Sequence, residues 1–254
     1  MVNTNIVSKE FGKRSNSYEN AKWVIDKSFI NHIANFADIK EYENTLEIGI
    51  GSGALAEKMK LYTKNLIGVD VSKSMLEKAQ RYIPPHQLLC YDATLLSSLF
   101  LNETFDFVYL RSVLHHLDIY KLFKEVHKIL IINGIFLIVE TVALNEKDEK
   151  FQLEFINSLH EGHTEFPAMK SLCSILKKVN FSIKKQEIWK ERSSLQNILS
   201  STAKTTQEKE KIFSLLKNAP NKIKIDWEIQ IEENDINFTR NWGLILAHKM
   251  GNKN

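Results

Sequence analysis

An acid and three glycines occupy alternate positions in Leu46-Glu47-Ile48-Gly49-Ile50-Gly51-Ser52-Gly53. Glycine has no Cβ, so such a loop can bring bare backbone N–H groups against a ligand. Where the loop opens a helix, the unpaired N–H groups of the first turn add a positive end. Leu46, Ile48 and Ile50 read as a strand before the loop, and Ala54 to Met59 as a helix after it. The spacing is not that of a dinucleotide fingerprint, Gly-x-Gly-x-x-Gly, whose third glycine lets helix and strand pack closely. Glu47 argues the same way, because it repels a diphosphate and suits a ligand with a cationic end. One strand–helix–strand unit later, an apolar run from Leu66 to Val69 ends in Asp70. An acid there is placed to accept both hydroxyls of a ribose at the carboxyl edge of a sheet.

Together, glycine loop and ribose acid resemble the class I S-adenosylmethionine (SAM) dependent methyltransferases. Their first motif, (D/E)-x-G-x-G-x-G, is met at every fixed position from Glu47 to Gly53. Gly68-Val69-Asp70-Val71-Ser72 is similar to their motif after the second strand. The resemblance covers roughly residues 11–190 and the last strand. It implies SAM as cofactor, with Glu47, Gly49, Gly51, Gly53, Asp70, Val71 and Arg111 in its site. It further implies Met75 beside the adenine, Asp92 accepting from the exocyclic amine, and the Ala93 N–H meeting a ring nitrogen. Tyr18 would line the pocket from an N-terminal arm, and Arg14 would meet the methionine carboxylate. Plainer roles stay open: Met75 as core filler, Asp92 as a helix cap, Tyr18 as packing, Arg14 as a surface ion-pair partner.

Phe105-Asp106-Phe107-Val108, with Leu114-His115-His116-Leu117 after it, is similar to the small-molecule and quinone-type branch of that family. The (D/N/S)-P-P-(Y/F) stretch of its DNA and many protein-glutamine N-methyltransferases is absent. Leu110-Arg111-Ser112 offers no carboxylate for the metal of the catechol type, so no metal is expected. His160 and His163 have no third ligand at suitable spacing. Adjacent residues on a helical turn point about 100° apart, so His115 and His116 should not share a job. Family position places His116 in the pocket, where an imidazole titrating near neutrality can take a proton from a hydroxyl. The alternative is that both are structural. Glu140, closing the fifth strand, either orients substrate or caps the edge.

These residues need a scaffold. Apolar runs place strands near 45–49, 66–70, 87–91, 105–110 and 135–141, with helices near 53–62, 73–82 and 118–130. Such alternation predicts a parallel sheet, since each crossover needs a helix. Right-handed crossovers then bring Glu47, Asp70, Asp92 and Arg111 to one edge, at the switch point of the sheet. Ser72 reads as an N-cap, Pro84-Pro85 as a helix stop, and Gly134 as a left-handed C-cap. Phe151, Phe155 and Leu159 recur at helical spacing and predict a helix over the site. Beyond it the pattern gives a helix over 168–180, a strand over 181–189, helical structure over 193–217 and a last strand over 237–249. The expected fold is α/β: a Rossmann-like, seven-stranded, mostly parallel sheet with an antiparallel last strand, helices on both faces and a helical cap. It divides into an N-terminal helical lid (1–44), a SAM-binding core (45–143), a helical cap insertion (144–166) and the C-terminal part of the core (167–250), elaborated at 193–217.

Composition narrows the function. The 34 Lys+Arg against 31 Asp+Glu give a net charge of +3, too mild to imply a nucleic-acid partner. There is no apolar run long enough for a membrane span, and the first residues lack the apolar core of a signal peptide. Cys90 and Cys173 form no CxxC pair, which suggests reduced thiols in the cytoplasm. The expected activity is methyl transfer from SAM to a small-molecule acceptor at O, N or C, releasing S-adenosylhomocysteine. An RNA- or protein-directed methyltransferase, using the lysine-rich 204–224 region, and a non-catalytic SAM-binding protein are the alternatives.

Overall fold

The computed structural model describes residues 22–37, 41–159, 166–200, 202 and 204–251. Five strands run parallel: β1 (Tyr42–Ile48), β2 (Thr63–Asp70), β3 (Leu88–Cys90), β4 (Phe105–Arg111) and β5 (Leu130–Thr141). With β6 (Phe181–Ser194), β7 (Gln230–Ile231) and β8 (Ile236–Lys249), the order is β3-β2-β1-β4-β5-β8-β6, and β7 pairs with β8. β8 is antiparallel to β5, β6 and β7. This is the expected mostly parallel Rossmann-like sheet, with the short β7 added. From β1 the chain adds strands to one side (β2, β3) and then to the other (β4, β5), so the switch point falls between β1 and β4.

The helices are α1 (Lys22–Ile25), α2 (Lys27–Phe36), α3 (Ala56–Met59), α4 (Lys73–Ala79), α5 (Ile119–Ile129), α6 (Glu146–Leu159), α7 (Met169–Lys178), α8 (Leu195–Ser200), α9 (Thr206–Lys217) and α10 (Asn221–Asp226). Strand residues alternate between two cores. Leu46, Ile48, Val108, Leu110 and Ile138 pack with α5 and α7. Phe107, Tyr109, Leu137, Val139 and Trp242 pack with α2 and α3 on the other face. Burial on both faces is why these strands read as continuous apolar runs. Asp26 caps α2 by accepting from Ser28 N at 2.8 Å, and the Phe29 ring lies 5.1 Å from that of Trp242. Phe11, Arg14, Ser15, Ser17, Tyr18, His160 and His163 lie outside the described residues.

Several expectations need correction. β1 and β2 start at Tyr42 and Thr63, ahead of their apolar runs, because Tyr42↔Thr63 and Asn44↔Asn65 extend the pairing through polar residues. The helix over 53–62 is α only at Ala56–Met59, and a 3-10 turn at Lys60–Tyr62 completes it. The next helix stops at Ala79, before the prolines, and Pro85–Gln87 form a 3-10 turn. Ser72 occupies the N-cap position without capping; its hydroxyl lies 3.0 Å from that of Ser74. Asn133, not Gly134, takes the left-handed conformation, with φ 64°, which Asn tolerates better than most residues. Gly134 instead provides clearance: a Cβ there would lie 2.9 Å from Ile131 O. The reading of 193–217 as helical missed that β6 runs to Ser194, and α10 was not foreseen.

β5 and β8 pair up to Thr141↔Trp242, but β6 and β8 stay paired to Ser194↔Asn237. This ribbon therefore projects past the carboxyl edge of the parallel strands. It carries a third core, in which Phe151, Phe155 and Leu159 of α6 meet Leu216 of α9, Trp227 and Phe238. Trp227 Nε1 donates to the buried Asp148 carboxylate at 2.6 Å.

Candidate functional site at the carboxyl rim

β1 delivers Glu47 to the rim and then turns sharply. Gly49 N and Ile50 N both donate to Val69 O of β2, at 2.8 and 3.1 Å. Gly49, Gly51 and Gly53 have φ of 65°, 53° and 83°, a region that costs an L side chain strain. A Cβ on Gly49 would sit 2.3 Å from Val113 Cγ2, so this glycine lets the post-β4 loop close against the turn. Among the described residues, a Cβ on Gly51 would meet nothing nearer than Gly49 O at 4.0 Å.

Asp70 ends β2 and holds the loop. Its Oδ2 accepts from Gly51 N at 2.9 Å, and its Oδ1 from Ser72 N at 2.8 Å. Each carboxylate oxygen has two lone pairs, so acceptor capacity remains for hydroxyls. Burial raises the Asp70 pKa, against the pull of the Ser72, Gly51 and Val71 N–H groups. β3 exits beside it, with Tyr91 N donating to Asp70 O at 3.0 Å. Asp92 comes next and caps a 3-10 segment at Ala93–Ser98, accepting from Thr94 N at 2.8 Å. Asp92 thus does perform the capping role. Ala93 is buried next to it, Val71 O faces Cys90 Sγ at 3.6 Å, and Met75 is fully packed, 1% exposed.

Glu47 is 3% exposed and accepts from the Tyr109 hydroxyl at 2.8 Å. Burial pushes its pKa up to about 8; the Tyr109 hydrogen bond and the Arg111 charge oppose this, and the Asp70 charge adds to it. A cation brought beside such an acid would favour its carboxylate form. Burial and Glu47 together push Tyr109 upward as well. Arg111 Nη2 donates to Val24 O at 3.1 Å, which ties the rim to α1. Tyr109 was missed in the sequence. The signal available was its position two residues before Arg111, on the same face of β4.

After β4 the chain turns through Ser112 at φ 59°. Glu140, fully buried, organises the loop beyond this turn. Its Oε2 accepts from Val113 N at 2.9 Å and Leu114 N at 2.7 Å. Its Oε1 accepts from Thr141 N at 2.9 Å and lies 3.0 Å from His115 Nδ1. His115 stacks on Phe166, with centroids 5.1 Å apart. His116 lies beside it on the 3-10 turn Leu114–His116, ring centroids 4.2 Å apart and tilted by 55°. Of the readings open for Glu140, the structure shows the structural one: it clamps the loop. Among the described residues, no group of three or more His, Cys, Asp or Glu comes together to hold a metal.

The rim brings together a buried acid, Glu47, a second acid with spare acceptor positions, Asp70, and the glycine-turn backbone between them. Comparison with known proteins agrees. Residues 46–138 match a family described as a methyltransferase domain. An uncharacterized methyltransferase of Bacillus subtilis, YcgJ, is 27% identical over 154 residues, covering 59% of this chain; the chain spans 60% of that relative's length. A putative methyltransferase of Bacillus halodurans, known from its crystal structure, superposes with a TM-score of 0.81 at 19% identity, covering 88% of this chain and all of that one. The phosphoethanolamine N-methyltransferase 2 of Haemonchus contortus, solved with phosphomonomethylethanolamine and S-adenosylhomocysteine, gives 0.64 at 18% identity over 99% of this chain and 61% of its own. At such identities the structural likenesses establish the fold alone.

Proposed function

We propose that this chain, whose core is a class I SAM-dependent methyltransferase domain, transfers a methyl group from SAM to a small-molecule acceptor at oxygen, nitrogen or carbon and releases S-adenosylhomocysteine. The observation that carries the reading is the pairing of Asp70 with Gly51 and Ser72 beside buried Glu47. SAM supplies an already activated methyl group on a sulfonium. The chain's own task is then to align partners, and such positioning is worth about 7–11 kcal/mol of barrier.

Glu47 faces the cationic end of the cofactor, Asp70 the ribose diol, and the Gly49–Gly53 backbone the stretch between. Asp92 and Ala93 lie at the adenine with Val71 and Met75 beside it, while Arg111 lies on the methionine side. His116 takes the proton of an O–H or N–H acceptor, and Glu140 fixes the loop on which it sits. The ribbon runs on past the rim and carries α6 in its own core, a cap that would suit a small acceptor. The phosphomonomethylethanolamine bound to the Haemonchus contortus neighbour is of that size.

Incubation with methyl-labelled SAM and a cell extract tests this. Label is expected in the small-molecule fraction. Label in protein or RNA, or SAM binding without any turnover, overturns the proposal. His116→Ala at saturating acceptor should slow transfer by about 10²–10⁴; an unchanged rate removes the base.

A further inference from the structure

β6 is an edge strand of the sheet: β8 flanks one side, and no strand flanks the other among the described residues. Grooves border this edge on both faces. On one, His32 and Phe36 of α2 face Lys184 to Glu187. On the other, α7 borders a larger groove of ≈ 1010 Å³ along 180–188. Its floor is apolar, with Met169, Ile183 and Ile188, and Ile188 is 44% exposed. Its rim is basic: Lys170 and Lys177 of α7, Lys184 and Lys185 of β6, all exposed. No acid lines it among the described residues. Further along the same strand, by contrast, Lys190 is paired with Glu228 at 2.6 Å.

We propose that this groove receives an extended acidic peptide segment, which adds as a further strand beside β6. An edge strand offers the main-chain hydrogen bonds of strand addition, and alternate side chains supply specificity. One set of the partner's side chains meets the apolar floor, while acidic groups meet the lysines. Lysines on an edge repel a second copy of the same edge, so an anionic partner fits better than self-pairing. The charges also rim a concave groove along one strand, which a flat lipid surface would not fill.

The test selects binders for the full chain from a short random peptide library at low salt. Enriched peptides should be acidic, with apolar residues at alternate positions. They should protect amides of 182–188 from hydrogen exchange. The double variant Lys177→Glu/Lys184→Glu should keep its melting temperature and SAM affinity, yet bind the selected peptides about tenfold more weakly. Enrichment of neutral or basic peptides, or protection elsewhere, overturns the proposal. So does binding to phosphatidylglycerol vesicles that the double variant abolishes, if no acidic peptide is enriched.

Discussion

At the glycine rim, carboxylates hold backbone. Asp70 accepts from two N–H groups, and Glu140 accepts from three more. In the cap, apolar rings hold helices. Trp227 meets Phe151, Phe155 and Phe238 with centroids 5.3–5.6 Å apart. Hydrogen bonds are directional, so the rim fixes positions to a fraction of an ångström and tolerates few residue types. Burial is non-directional, so the cap tolerates exchange of one large apolar residue for another. On the proposed function, the fixed part would hold the cofactor and the tolerant part would vary with the acceptor.

Four changes probe that contrast. The largest effect is expected from Glu140→Ala, which removes the acceptor of Val113 N, Leu114 N and Thr141 N and the carboxylate beside His115. A loss of about 3–5 kcal/mol is expected from breaking a buried charged network, read as a fall of roughly 10 °C in melting temperature. Trp227→Ala should cost a similar ~3–5 kcal/mol, but within the cap. SAM affinity by calorimetry should stay near wild type, whereas hydrogen exchange in α6 and α9 rises. Equal loss of SAM affinity in both variants would erase the distinction between the two regions.

Asp70→Ala comes next. It removes the acceptor that joins Gly51 to Ser72, and each charge-assisted bond is worth about 1.5–3 kcal/mol. SAM binding should weaken at least about tenfold; unchanged affinity removes the ribose assignment. The smallest effect for a single step of the variable is a pH slope at Glu47, whose pKa rises from 4.5 to about 8 on folding. Between these values the folded chain holds a proton that the unfolded chain has released. Stability therefore falls as pH rises through that window, by at most about 1.4 kcal/mol per unit. Over the same range SAM affinity should rise, since the carboxylate becomes available to a cation. Glu47→Gln should flatten both trends, measured by denaturant titration and calorimetry across pH.

Much of the rim was legible because backbone geometry there leaves a trace in residue type. Only glycine sits easily at φ 53–83°, so the turn is written as glycines. A strand end that must accept N–H groups is written as Asp70. Tyr109 left no comparable trace, because an aromatic on a buried strand usually signals packing, and its hydroxyl bond to Glu47 crosses strands far apart in sequence. Glu140 was noticed, but its clamp on Val113 and Leu114 depends on a loop from another strand. The sequence reads Gly134 as a C-cap, but the helix ends at Ile129 and β5 already runs from Leu130, so the left-handed residue, Asn133, falls within the strand.

The sequence alone determined the alternation of strands and helices, the glycine turn and the acids flanking it, because these arise from local steric limits and from a period in apolar residues. Tertiary structure decided which groups those acids hold, how far Glu47 departs from an ordinary carboxyl, and that β6 and β8 outrun the sheet to carry the cap. Partners in those arrangements come from distant parts of the chain. Their energies depend on burial and on angles between elements, which no local pattern encodes.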